Sequence, residues 1–427
     1  MKVFKFGGAS VKDASSVLNV AEIINLYTDD LIVVVSAMGK TTNLMEELVD
    51  SFLKGNKEEL IQVYQNLYNL HYEIVEDLGL TSDEDFITLF EYKFDDLEQR
   101  INTDPSDNKN YVYDQIVSFG EVISTTIISG FLNFINLENC WFDARKLIRT
   151  DNKYRSANVN WEKTNELINK HIGGYIKENT NRSIAITQGF IGHTDTKQTT
   201  TLGREGSDFS AGILAWSLNV DDVTIWKDVP GMLNADPKYF NNCVKLDQIS
   251  FKEAIELSYY GASVIHPKTI KPLQNKNIPL FVKSFMNPTE SGTKIQASGV
   301  DDAKIPSYIF KQNQLLISFI PRDFSFIDEI SLTELFSFFS EKDIKINLMQ
   351  NSAISFSICI DEDEDKMEQI LNKFKTKYKV KYNQKLELLT IRHYNAKVVG
   401  QLTDSKSILA QQKSRHTARF VLENKAI

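Results

Sequence analysis

The sequence predicts an α/β protein: a three-layer αβα unit around a mostly parallel central sheet, followed by a smaller, ferredoxin-like α+β region. Three observations carry this. Short, near-continuous apolar runs such as Leu31-Ile32-Val33-Val34-Val35 have the pattern of parallel strands buried on both faces. Such runs alternate with helix-like stretches over residues 1–295, as a sheet covered on both sides requires. Over residues 296–427 the order changes to βαββαβ and then begins a shortened second copy. A length of 427 residues suits two or three domains, and the turn-rich stretch Asn287-Pro288-Thr289-Glu290-Ser291-Gly292-Thr293 marks the expected boundary.

Taken in order, Val3–Phe6 reads as a strand entering Gly7-Gly8-Ala9-Ser10, with a helix over Ala14–Tyr27. Leu31–Val35 empties into the polar loop Ser36-Ala37-Met38-Gly39-Lys40-Thr41-Thr42-Asn43. Gly39-Lys40-Thr41 is no P-loop, because the first glycine of that motif would have to stand at Val34, inside the strand. Residues 46–110 form a helical insertion on the domain edge, with Leu60, Val63, Tyr64 and Leu67 at helical spacing. A helix over Tyr111–Phe134 contains Phe119-Gly120-Glu121, where a mid-helix glycine points to close approach of a ligand or another helix. Cys140–Asp143 reads as a strand, Trp161–Asn179 as a surface helix, and Ile184–Thr187, Val223–Lys227 and Pro279–Lys283 as further strands. In the C-terminal region the strands are Leu315–Ile320, Ile344–Met349, Ile354–Ile360 and Tyr378–Tyr382, with helices Asp328–Ser340 and Asp363–Phe374. Leu386–Ile391, Val398-Val399 and Arg419–Leu422 start the second copy.

Composition excludes several classes. Net charge is −9 with both signs interspersed and no basic block, which speaks against nucleic acid as a partner. The apolar runs are short for a membrane span, and Lys5 interrupts the only stretch that resembles a leader, so a cytoplasmic location is expected. Cys140, Cys243 and Cys359 are isolated, the six histidines are scattered, and His266 beside Pro267 reads as a loop or cap residue, so no metal ligand is assigned.

The chemistry concentrates in polar loops at the carboxyl ends of strands, where ligands of such sheets lie. Thr199-Thr200-Thr201-Leu202-Gly203-Arg204-Glu205-Gly206-Ser207-Asp208 reads as a strand-to-helix loop, with Ser207 or Asp208 capping the helix Phe209–Leu218. Its free N–H groups favour an anion, and Arg204 adds a guanidinium fork. Gly7-Gly8 ahead of a helix makes a second anion cradle. Taken singly, Lys5 reads as a solvent-facing strand lysine, Glu121 as a solvated helix glutamate, and Asp228-Val229-Pro230-Gly231 with Asp236-Pro237-Lys238 as ordinary turns.

Assembled in this order, Lys5-Phe6-Gly7-Gly8-Ala9-Ser10-Val11, Phe119-Gly120-Glu121, Thr201-Leu202-Gly203-Arg204 through Gly206-Ser207-Asp208, and Asp228-Val229-Pro230-Gly231 resemble the aspartate kinases of the amino-acid kinase superfamily, with their C-terminal ACT region, over nearly the whole chain. The resemblance implies transfer of the γ-phosphoryl of MgATP to the β-carboxylate of L-aspartate. It implies that Lys5 acts on the transferring group and that Asp208 orients Lys5 and the helix-terminal donors. Gly7, Gly8, Ala9, Ser10, Lys227, Asp228, Leu233, Lys238, Ser263 and Val264 fall at nucleotide contacts. Ser36, Thr42, Glu121, Arg204, Gly206 and Ser207 fall at the amino acid, Glu121 taking its ammonium and Arg204 its α-carboxylate. A homodimer and an amino-acid effector at the ACT region are implied as well.

The residue types suit the reaction independently: a carboxylate is ionised at neutral pH, so no histidine base is needed. Departures from the family pattern are Ala9 for Thr, Ser263 for Lys, and Glu205 for a small residue, an extra acid that would repel substrate unless it pairs or turns outward. The first ACT strand-to-helix loop, residues 321–326, lacks the glycine common in effector loops. Asn347 and Ala353 stand where lysine-binding relatives carry acids, so weak or absent lysine inhibition is expected. The alternatives are a kinase of another amino acid, such as glutamate or acetylglutamate, or of a nucleoside monophosphate in the same superfamily, and a catalytically degenerate amino-acid-sensing ACT protein.

Overall fold

The computed structural model describes residues 1–262 and 265–424. In chain order its elements are β1 (Lys2–Phe6), α1 (Ala14–Asn25), β2 (Leu31–Val35), α2 (Thr41–Lys54), α3 (Lys57–Asp77), α4 (Glu84–Ile101), α5 (Lys109–Val117), α6 (Phe119–Phe134), β3 (Cys140–Phe142), α7 (Trp161–Ile168), α8 (Gly174–Glu178), β4 (Ile184–Gln188), β5 (Ile191–His193), β6 (Thr199–Thr201), α9 (Gly206–Leu218), β7 (Asp222–Lys227), β8 (Gln248–Ser250), α10 (Phe251–Tyr260), α11 (Pro267–Asn275), β9 (Leu280–Ser284) and β10 (Thr293–Gln296). Then come β11 (Ser307–Pro321), α12 (Glu329–Glu341), β12 (Ile346–Ser352), β13 (Ser355–Asp361), α13 (Glu364–Phe374), β14 (Tyr378–Arg392), α14 (Ala396–Thr403), β15 (Lys406–Lys413) and β16 (Thr417–Asn424). Two compact units result: Met1–Met232 with Lys245–Ile255 and Val264–Val300, and Leu233–Val244 with Glu256–Ser263 and Asp301–Ile427.

The first unit is built on an eight-stranded sheet of order β3-β4-β2-β1-β7-β9-β10-β8, in which only the β9–β10 pair is antiparallel. Strand periodicity decides what each face carries. On β1, Phe4 and Phe6 join Trp226 of β7 in an aromatic cluster, the Phe6 and Trp226 rings stacked at 6.0 Å. Val3 and Lys5 therefore point to the opposite face, where α9 packs on β1, β2 and β7. Because that face is covered too, Lys5 is buried, not solvent-facing.

Helices α2 to α4 are more than an edge insertion. Phe52, Val63, Leu67, Phe86, Phe90, Phe94 and Leu97 join α1, α6 and the sheet in one continuous core. The stretch 109–134 is interrupted at Ser118, which caps both α5 and α6. It is also long and apolar enough to cross a bilayer by composition, but 94% of its most apolar window is buried within the protein. The expected helix over Trp161–Asn179 is divided by a π-turn, Asn169–Gly173, which ends within the Gly173-Gly174 pair. Glycine's low helical preference makes that the weak point of the segment.

The second unit holds one six-stranded antiparallel sheet of order β12-β13-β11-β14-β16-β15. The expected strands Tyr378–Tyr382 and Leu386–Ile391 are a single strand, β14, which with β11 serves both halves of the unit. Strand β15, charged and largely exposed, lacked an apolar alternation by which to be found. Leu315, Ile317, Phe319, Phe338, Phe339, Ile370 and Phe374 form the core beneath α12 and α13.

Candidate active site

Residues 199–208 are not one loop. Thr199–Thr201 is the strand β6, paired with β5 in a hairpin, and β-branched threonines suit that pairing. Helix α9 begins at Gly206, after Glu205 in the left-handed conformation (φ 53°), with no side-chain cap. Ser207 and Asp208 thus lie inside the first turn and do not cap it; their amide N–H groups have no helical acceptor. Gly189, after β4, lets this turn descend onto the sheet, since a Cβ there would stand 2.4 Å from that of Ser207.

Parallel register places Lys5 opposite Ile225, two residues before Lys227, so both lysines emerge on the α9 face. Asp208 drops between them: Lys5 Nζ lies 2.7 Å from Oδ1 and Lys227 Nζ 3.7 Å from Oδ2. Burial works to raise the Asp208 pKa, but the two ammonium groups overcome it and hold the carboxylate below its ordinary range.

Glu121 approaches from α6. A Cβ on Gly120 would stand 3.1 Å from the Ala37 Cβ, so the glycine's close approach is to the β2 exit loop. Ser124 donates to the Ser36 carbonyl at 2.7 Å and fixes that contact. Glu121 is buried; its Oε1 accepts from the Ala37 N–H at 3.3 Å, while Oε2 has no hydrogen-bond partner. Burial pushes its pKa up to about 8, with the Ala37 N–H and nearby Lys5 pulling the other way. A buried carboxyl with an orphaned oxygen is a receptor awaiting a donor.

Lys5, Ser36, Thr42, Glu121, Arg204, Gly206, Ser207, Asp208 and Lys227 all line one cavity of about 560 Å³. Of the expected nucleotide contacts, Ala9 and Asp228 line a separate cavity of about 380 Å³ with Lys12, Ser15 and Asn19. Gly7 lies beside the Lys5 amine, and a Cβ on Gly8 would stand 2.9 Å from the carbonyl oxygens of Ala37 and Gly39, so the two loops interlock. Ser10 is buried, its N–H donating to the Gly7 carbonyl at 2.9 Å. Leu233 and Lys238 belong to the second unit, and Ser263 and Val264 lie outside the described residues.

The cavity also contains residues that sequence reasoning missed: Tyr113, Arg155 and Phe190. Behind them, buried Asp114 accepts from the N–H of Arg155 at 3.1 and 3.0 Å and from the N–H and hydroxyl of Thr201 at 2.9 and 2.8 Å. One carboxylate on α5 thereby ties two stretches of the wall together. Burial raises the Asp114 pKa despite these bonds. Only a buried acid in an otherwise apolar helix face, Val112 and Ile116 to Val117, could have signalled it.

Residues 1–284 match the amino acid kinase family. The lysine-sensitive aspartokinase 3 of Escherichia coli K12 is 30% identical over 368 residues, 84% of this chain and 78% of that protein. The aspartokinase of Chlamydia trachomatis is 32% identical over 319 residues, covering 74% and 69%. Among solved structures, E. coli aspartokinase III in complex with lysine and aspartate superposes with a TM-score of 0.83 at 26% identity, over 99% of this chain and 95% of that one. The same enzyme in complex with aspartate and ADP gives 0.81 at 26% identity, over 99% and 96%. The chain belongs to the amino acid kinase family, among its aspartokinases.

Proposed function

We propose that this protein phosphorylates the β-carboxylate of L-aspartate with MgATP. The observation that carries the proposal is the convergence, in one cavity, of the Lys5–Asp208–Lys227 cluster with Glu121 and Arg204. Arg204 takes the α-carboxylate through its fork and Glu121 Oε2 accepts from the ammonium, which leaves the β-carboxylate toward Lys5. An oxygen of that carboxylate attacks the γ-phosphorus, the bond from γ-phosphorus to the bridging oxygen breaks, and ADP leaves with the electron pair. No proton moves, so no base is needed. The barrier lies in bringing two anions together and in the charge of the moving group. Lys5 and Lys227, held in place by Asp208, and the first-turn amides of α9 meet that charge. Ser36 and Thr42 supply hydroxyls at the amino-acid end, and Gly7, Gly8, Ala9, Ser10 and Asp228 border the nucleotide.

Mg²⁺ would enter with the nucleotide, since this ion binds through substrate phosphates together with one or two carboxylates. With Glu121 Oε2 assigned to the substrate ammonium, Glu205 Oε2, buried on the cavity wall with no hydrogen-bond partner, is the carboxylate oxygen that would hold the ion. The ion would supply charge neutralisation between β- and γ-phosphates.

Lysine is proposed to inhibit weakly or not at all. Asn347 is already engaged, donating to Gln314 at 2.9 Å and Asp361 at 2.8 Å and accepting from Lys311 at 3.0 Å. A homodimeric, cytoplasmic enzyme completes the proposal. The test is hydroxamate formation from aspartate and MgATP, repeated with lysine, threonine and methionine. No aspartate-dependent product would refute the activity, and strong inhibition by lysine would refute the regulatory part.

A further inference from the structure

Arg155 stands out among the residues that line the active-site cavity. Its backbone is left-handed (φ 64°), a conformation that disfavours any residue with a Cβ. Such an outlier persists only where its surroundings hold it, and here both oxygens of buried Asp114 grip its N–H. The side chain is held as well: the guanidinium carbon lies 3.9 Å from the centre of the Tyr113 ring, and the Tyr113 hydroxyl is anchored at 2.8 Å on Glu46. Arg145, by contrast, is closed in a tight pair with Asp143 at 2.7 Å, whereas the Arg155 guanidinium forms no ion pair among the described residues, with Asp114 close enough only to feel its charge. A guanidinium that is placed by two anchors, faces a cavity and lacks an anion is built to receive one.

The charges on the cavity wall identify that anion. Asp208 is shared by Lys5 and Lys227, which leaves the guanidinium groups of Arg204 and Arg155 as the remaining cations. A carboxylate has two oxygens and about four acceptor directions, so it can take a fork from each of two arginines. The β-carboxylate must stay beside Lys5 to be phosphorylated. We infer that Arg155 is a second guanidinium for the α-carboxylate of the amino-acid substrate, acting with Arg204 to set the affinity for aspartate. This rests on the proposed aspartate kinase activity.

The test uses Arg155→Ala, Arg155→Lys and Arg155→Gly in the full-length protein, with L-asparagine as a competitive inhibitor that keeps the α-carboxylate and lacks the β-carboxylate. Glycine tolerates the left-handed backbone, so Arg155→Gly removes the side chain without straining the fold. The expected result is a 10- to 100-fold rise in KM for aspartate in the Ala and Gly variants, with kcat within threefold of wild type and KM for ATP unchanged. Arg155→Lys, which keeps the charge but not the fork, falls between. The Ki of asparagine rises by the same factor as KM, and Arg155→Gly melts no lower than wild type.

A KM for aspartate within twofold of wild type in Arg155→Gly overturns the inference. So does a rise in KM without a rise in the asparagine Ki, which would place Arg155 on the β-carboxylate. Parallel increases for aspartate and ATP would reduce its role to shaping the wall and overturn it equally. Failure of the underlying activity is read separately, from wild type alone, as absence of aspartate-dependent ADP release.

Discussion

Glu121 offers the most quantitative consequence of this arrangement. Burial pushes its pKa up to about 8, so at pH 7 the carboxyl is mostly protonated and pairing with the substrate ammonium releases that proton. Binding through the ionised form weakens by a factor of 1 + 10^(pKa − pH), roughly tenfold at pH 7 and ~100-fold at pH 6 relative to the alkaline limit. The dissociation constant for aspartate should therefore fall about tenfold between pH 6 and pH 7 and about fivefold between pH 7 and pH 8. Glu121→Gln removes the titrating group and keeps the shape, so its dissociation constant should be flat across that range. At pH 8 the variant should bind aspartate about 10- to 100-fold more weakly, the cost of losing a charge-assisted hydrogen bond of about 1.5–3 kcal/mol. Isothermal titration with aspartate in buffers of different ionisation enthalpy measures affinity and proton release together. A pH-independent affinity in wild type, or the same slope in both proteins, would refute the reasoning. Nucleotide affinity, which Glu121 does not touch, serves as the control.

The same shift bears on stability. A carboxyl raised from 4.5 to about 8 binds its proton more tightly when folded, so stability declines as pH rises between those values, by at most about 5 kcal/mol. Thermal melts of ligand-free Glu121→Gln should match wild type near pH 4.5 and exceed it above pH 8; a variant less stable at pH 8 contradicts this. Asp208 runs the other way, since its folded pKa is depressed below 3.8. Asp208→Asn should lose roughly 3–5 kcal/mol at pH 7 in denaturant unfolding. That gap should close as pH falls through the depressed pKa, and a gap constant down to strong acid would exclude the ion-pair account. Gly120→Ala places a Cβ 3.1 Å from that of Ala37, so it should cost about 1–3 kcal/mol and raise KM for aspartate by displacing the Ser36–Ala37 loop. An unchanged KM would mean that the loop does not shape the cavity.

Much of this site was legible in the sequence because its parts are local. Gly7-Gly8 after a strand, and Gly203 to Asp208 running into the first turn of a helix, announce anion sites through backbone chemistry alone. The burial of Lys5 was not legible: alternation with Phe4 and Phe6 puts it on the other face, and only α9, two hundred residues away in the chain, turns that face into an interior. The clamp of Asp114 on Arg155 and Thr201, and the stack of Arg155 on Tyr113, join positions far apart in the chain with no periodicity to betray them. The cap of α9 misled for a related reason. Ser207 and Asp208 have the right chemistry for capping, but Glu205 turns left-handed and starts the helix earlier, which leaves Asp208 for the lysines. In the second unit, the joining of β14 into one strand follows from its pairing with the equally long β11, a tertiary fact that the turn-like Asn383 and Gln384 concealed.

Lys5 and Arg204 serve one cavity with separate tasks, one on the moving phosphoryl group and the other on the amino acid. Steady-state kinetics of ADP release by Lys5→Ala and Arg204→Ala, with aspartate and MgATP varied independently, tests this most directly. Lys5→Ala should lose kcat by about 10²–10³ with KM for aspartate within a few-fold of wild type. Arg204→Ala should raise KM for aspartate about 10- to 100-fold and largely keep kcat. Wild-type kcat in Lys5→Ala, or an unchanged KM in Arg204→Ala, would contradict it.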